Sequence, residues 1–203
     1  MGNGYLLNPV IFLVDTLFSL YILIVMLRLV LQMVRADFYN PLSQFMVKAT
    51  NPLLRPLRRI IPGWGGIDIA SIVLLIALQV LTILVMVLLF GGDISSLSIA
   101  GTLMAAVTKL ISLFMYIYFF SLIIIALLSW ISTGAYNPVT ALMSSITAPL
   151  LRPVRRVMPP VGMFDFSIFV TILGLVVARM LIMPPLQELS FLLGFPRALM
   201  ALL

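Results

Sequence analysis

Four long apolar runs alternate with two stretches in which polar residues return every three or four positions. The first run, 10–34, can cross about 30 Å of hydrocarbon at 1.5 Å per helical residue, and only Asp15, Arg28 and a few small polar groups interrupt it. Runs at 67–90, 107–131 and 164–183 predict three more spans, with Gly91, Gly92, Asp93 and the serines at 95, 96 and 98 turning the chain between the second and third. The first run reads as a retained span rather than a signal peptide: no basic residue precedes it, it exceeds an h-region, and it lacks a small-residue cleavage pattern. Pro184 and Pro185 are expected to end the fourth span. That leaves an apolar tail, 184–203, broken by Gly194 and Pro196, too short to cross and therefore interfacial or re-entrant.

The stretches between spans, linkers 35–66 and 132–163, each carry an apolar stripe at helical spacing. It runs through Leu42, Phe45, Met46 and Ala49 in the first linker and Val139, Leu142, Met143 and Ile146 in the second, with Ser, Thr, Gln and Lys on the other face. Each predicts a short interfacial helix of about two to three turns, followed by a separate segment broken by proline.

The linkers are copies of one another. Tyr39-Asn40-Pro41 recurs as Tyr136-Asn137-Pro138, and the twelve residues from Asn51 to Pro62 (NPLLRPLRRIIP) recur from Ala148 to Pro159 (APLLRPVRRVMP), both at an offset of 97. The same offset pairs Gly65 with Gly162 and Asp68 with Asp165. The chain therefore reads as an all-α membrane protein of four transmembrane helices in two parallel units, 1–100 and 101–203, each a helix, a basic linker and a helix.

Composition agrees with a bilayer as solvent: 63% of the 203 residues are apolar and 9% charged, and the mean hydropathy is +1.26. With no Cys and no His, thiol nucleophiles, disulfides, the usual soft metal and haem ligands, and the side chain best matched to proton transfer near neutral pH are all missing. No metal, cofactor or catalytic set is expected. Twelve basic residues face six acids, and Arg35, Lys48, Arg55, Arg58, Arg59, Arg152, Arg155 and Arg156 all fall in the linkers. The outer loop has only Asp93, with Lys109 at its edge. This bias points to anionic lipid rather than nucleic acid, and it places both linkers on the cytoplasmic side and both termini outside. The two units then share one orientation, which disfavours alternating access between inverted repeats.

The sharpest candidates are the triplets Arg55, Arg58, Arg59 and Arg152, Arg155, Arg156. Pro56 or Pro153 would open a helical segment on which the three guanidinium groups converge on lipid or other phosphates; the bland alternative is topology signal alone. Asp68 and Asp165, at the starts of spans two and four, are expected to cap those helices, or else to pin them to an arginine of the linker. Asp15 and Arg179 stand at similar depth in the first and last spans and form a candidate buried pair, against which stands snorkelling of Arg179. Arg28 is expected to reach the headgroups, and Gln79 to act as packing glue in mid-span. Ser112, Tyr116, Tyr118, Ser121 and Ser129 make the third span more polar without forming one stripe.

The duplicated basic segments, each followed by a turn, an acid and another span, resemble the YggT family, also called YlmG, and the resemblance covers both units. The second copy departs from it in carrying Pro160-Val161-Gly162-Met163 where the first has Gly63-Trp64-Gly65-Gly66. The resemblance implies a bacterial cytoplasmic-membrane protein linked to osmotic or ion homeostasis, cell or plastid division and assembly of membrane complexes, with no catalytic residues. The leading expectation is a non-enzymatic organiser that binds anionic lipid and docks other membrane proteins or its own copies. The alternative is a channel or transporter component for a cation under osmotic stress, oligomerised around Gln79 and the polar groups of span three; abolition of flux by Gln79→Leu would favour it. Phospholipid chemistry at the arginine triplets is the third reading.

Overall fold

The computed structural model describes residues 4–63, 66, 68–131, 137–158 and 165–202. Among them the regular elements are all helical: α1 (Gly4–Met33), α2 (Pro41–Ile60), α3 (Ile69–Leu89), α4 (Ile99–Ile131), α5 (Pro138–Val157) and α6 (Phe166–Leu192), with 3₁₀ turns at Ile94–Ser96 and Arg197–Leu202. Segments of α1, α3, α4 and α6 are long and apolar enough to cross a membrane.

The pattern of pairings repeats. In the first unit α1 packs on α3 and α2 on both; in the second α4 packs on α6 and α5 on both. The units meet mainly where α3 lies against α4, and the main core there is apolar: Val25, Leu29 and Val30 of α1, Leu75 of α3, and Leu110 and Ile117 of α4. The linker helices start at one end of this bundle, side by side, where the buried Asn40 donates from Nδ2 to the Pro138 carbonyl at 2.7 Å.

Three expectations are corrected. Each linker holds one 20-residue helix, not a short helix and a broken segment: Pro52 and Pro56 lie inside α2, and Pro149 and Pro153 inside α5. A proline removes the N–H that would bond the carbonyl four residues back. In α2 the residues concerned, Lys48, Pro52 and Pro56, form one exposed row, so the freed carbonyls open outward where water or headgroups can bond them. The start comes from Asn40 and Asn137, whose side chains accept from the backbone N–H of Leu42 and Val139 at 2.9 Å, each followed by proline at the first helical position.

Pro184 and Pro185 likewise fail to stop α6, which runs on to Leu192. The remaining tail folds back on the bundle: Phe195 is buried against Ile83 and Val87 of α3 and Ala105 and Ala106 of α4. Glycines make this return possible. A Cβ on Gly101 would stand 2.4 Å from the Phe195 nitrogen, and Gly194 turns the chain at φ +95°. Finally, α4 begins at Ile99, so Lys109 lies ten residues inside the helix rather than at the loop edge.

Candidate functional site

The site is built where each linker helix meets the start of the span that follows it. In the first unit Asp68 is 4% exposed and takes a forked ion pair from Arg58, whose Nε lies 3.2 Å from Oδ2, together with a hydrogen bond from the Ser71 hydroxyl. No side-chain capping hydrogen bond forms at the start of α3, so of the two roles expected for Asp68 the link to the linker is the dominant one. In the second unit Asp165 does both. It accepts from the Ser167 backbone N–H at 3.0 Å and pairs with Arg155 at 2.6 Å.

Burial works to raise the pKa of each carboxyl. For Asp68 the bonds from Arg58 and Ser71 outweigh it, for Asp165 those from Ser167 and Arg155, and both acids are held below the ordinary carboxylate value.

This geometry divides each arginine triplet. Arg58 and Arg155 turn to their acids, whereas Arg55 and Arg59 of α2 and Arg152 and Arg156 of α5 are exposed. The buried row of the same helices holds Thr50 and Leu54, or Thr147 and Leu151. Leu53, Ile60, Val157 and Met158 are exposed beside the free arginines, giving each helix end a mixed basic and apolar rim.

Arg28 does not snorkel. It is 6% exposed and its guanidinium bonds to the Thr50 hydroxyl and, at 3.1 Å, to the Asn51 side-chain carbonyl, fastening α1 to the middle of α2. With Gln32, Arg58 and Asp68 it lines a cleft of about 630 Å³ under the first linker. At the offset of 97 the second unit has Ile125 for Arg28 and Ala148 for Asn51, and Ile125 packs on the apolar cluster of Leu122, Leu151 and Ile168. Thr50 and Asn51 were missed in the sequence, although Asn51 marks the one polar-to-apolar difference within the duplicated PLLRP segments and could have been paired with Arg28 by asking what else changes at that offset.

Asp15 and Arg179 are not brought together, because α4 stands between their environments. Asp15 shares a cavity of about 370 Å³ with Lys109 of α4, while the Arg179 guanidinium stacks 4.1 Å from the centre of the Tyr116 ring on α4. Among the described residues the ion pairs are Arg58–Asp68, Arg155–Asp165 and Arg197–Glu188. Gln79 is buried in α3. Tyr116 faces α6, whereas Tyr118 is buried in the main core, so these two tyrosines line no common path. The side chain of Ser129 lies outside the described residues.

Two stretches of the chain, 7–89 and 104–186, each match the CCB3/YggT family model, and they are spaced by the same 97 residues as the duplicated motif. The chain belongs to the CCB3/YggT family. It is 46% identical over 189 residues to the uncharacterised Pseudomonas aeruginosa protein PA0392, a match covering 93% of this chain and 94% of that one. The Escherichia coli K12 protein YggT is 38% identical over 183 residues, covering 89% and 93% of the two chains, and a Vibrio alginolyticus protein named for the proC 3′ region is 43% identical over 175 residues, covering 86% and 94%. No solved structure matches the chain. The family match supports the duplication.

Proposed function

We propose that this member of the family is a non-enzymatic organiser in the bacterial inner membrane, whose paired linker helices grip anionic headgroups on the cytoplasmic leaflet and so fix a platform for assembling membrane complexes. Its service to envelope, osmotic or ion homeostasis is part of the same proposal. One observation carries the reading: two helices at one end of the bundle, each tied to a span by an arginine–aspartate pair, leave Arg55, Arg59, Arg152 and Arg156 exposed among apolar side chains. A helix with that mixture of surfaces seats its apolar side chains among acyl chains and its bases among phosphates. At about 1 kcal/mol for each surface base, the four together supply an attraction of about 4 kcal/mol to an anionic leaflet, strong enough to select lipids and weak enough to exchange them.

The experiment is reconstitution into vesicles of mixed phosphatidylcholine and phosphatidylglycerol with spin-labelled lipid of either kind. Wild type should immobilise phosphatidylglycerol in preference to phosphatidylcholine, and the variant with Arg55, Arg59, Arg152 and Arg156 changed to Gln should show a sharply reduced preference while keeping both aspartate pairs. An unchanged preference in the variant rules the proposal out.

A further inference from the structure

A cavity of about 280 Å³ lies between α4 and α6, well away from the linkers. Arg179 lines it 13 residues after the start of α6 at Phe166, which is about 20 Å along the helix from the end where the linkers sit. A positive charge at such depth normally has an acid beside it. Here the guanidinium carbon rests on the Tyr116 ring, the Nε is buried with no hydrogen-bond partner, and the nearest acid along α6, Glu188, is committed to Arg197 at 2.6 Å. Ser112 and Gln187 add polar groups to the same walls, while Phe119, Leu175 and Met183 make the rest apolar.

We propose that this cavity is a binding site for an acidic amphiphile, whose phosphate or carboxylate pairs with Arg179 and whose chain begins along the apolar walls. Three features select that class. The site carries a cation with unused donors, which calls for an anionic acceptor. Its position within the membrane-spanning helices admits ligands that arrive through the bilayer, which excludes a free inorganic anion. Its volume equals that of roughly nine waters in the liquid, enough for a headgroup fragment and the first methylenes, and the exposed Met180 at its edge leaves the rest of the chain in the bilayer. The site is distinct from the linker surfaces, so its occupancy does not depend on theirs.

The test uses the full chain in a neutral detergent, stripped of lipid and loaded with radiolabelled phosphatidylglycerol, oleate or phosphatidylcholine, with bound lipid counted after gel filtration. Wild type and the variant lacking the four exposed linker arginines should both retain phosphatidylglycerol or oleate over phosphatidylcholine. Which of the two is held tells whether the head is a phosphodiester or a carboxylate. Arg179→Gln should lower that retention about tenfold or more, corresponding to about 1.4 kcal/mol, and Arg179→Lys should restore much of it. Ser112→Phe fills the cavity with Arg179 in place and should also expel the ligand, which keeps the test decisive if Arg179→Gln folds poorly. Equal retention by wild type and either of these two cavity variants, or no preference for an acidic head, overturns the proposal.

Discussion

Replacing Asn51 by Ala turns the first linker into the sequence of the second at that position, yet it should destabilise the protein. The reason is Arg28, which is 6% exposed and relies on Asn51 and Thr50 for its bonds within the chain. Neutral hydrogen bonds between membrane helices average about 0.6 kcal/mol. A bond to a charged partner is worth more, about 1.5–3 kcal/mol, and that is the expected loss for Asn51→Ala. Adding Thr50→Val removes the other partner and should bring the loss to about 3–5 kcal/mol, the usual consequence of stranding a buried charge. Changing Arg28 to Ile strands less, because the Thr50 hydroxyl still donates to the Met46 carbonyl at 2.7 Å and Asn51 is only half-buried.

Arg28→Ile with Asn51→Ala reproduces the combination found at Ile125 and Ala148 and should come within about 1 kcal/mol of wild type, since both sides of the interaction leave together. Reversible unfolding in mixed micelles of rising dodecyl sulfate content, followed by far-ultraviolet circular dichroism, gives the four free energies of the Arg28–Asn51 cycle. A coupling energy of about 1.5–3 kcal/mol is expected. Losses that add within about 0.5 kcal/mol would refute the claim that Arg28 and Asn51 form one unit.

Other outcomes follow from the same structure. Asp68 and Asp165 have lowered folded-state pKa values, so their stabilisation is present above the unfolded-state value, about 3.9, and is lost as pH falls through the folded-state values below it; Asp68→Asn and Asp165→Asn should flatten the acid limb of a pH–stability curve, the more buried Asp68 contributing more of it. Phe195→Ala should remove about 3–5 kcal/mol of packing and speed amide exchange in 194–202 without loosening α1 or α2, and Gly101→Ala should do the same by forcing the tail off α4. Because the chain has no cysteine, single cysteines at Lys48, Ser144 and Ser96 can report sidedness to an impermeant maleimide: the first two should react only after the inner membrane is opened, and the third in intact spheroplasts.

The spans and the duplication were legible because both are long-range statistical features: about twenty apolar residues have one use, and two motifs at one offset have one origin. What was not legible turns on local compensation. Proline normally ends helices, and the rule failed at Pro52, Pro56, Pro149 and Pro153 because these lie on the exposed surface of the linker helices, where a freed carbonyl can meet water or headgroups; it failed also at Pro184 and Pro185, through which α6 runs on to Leu192. The packing of Phe195 was not legible because nothing local shows that Gly101 and the alanines at 105 and 106 leave room for it. The pairing of Asp15 with Arg179 was inferred from depth alone, and depth does not say which helix lies between. Pinning of Asp68 to an arginine of its own linker was legible only as the alternative to capping, and which arginine it takes, Arg58, was not, while the 22 residues from Arg28 to Thr50 conceal a contact that only the packing of α2 on α1 creates.

The most direct test of the account is native mass spectrometry of gently extracted protein, wild type beside the variant with Arg55, Arg59, Arg152 and Arg156 changed to Gln. The account predicts that wild type carries several anionic phospholipids or a defined partner, and that the variant keeps its fold but sheds all of these except the single acidic lipid assigned to the cavity at Arg179. The same set of bound species on both proteins would contradict it, leaving the exposed arginines as topology signals and nothing more.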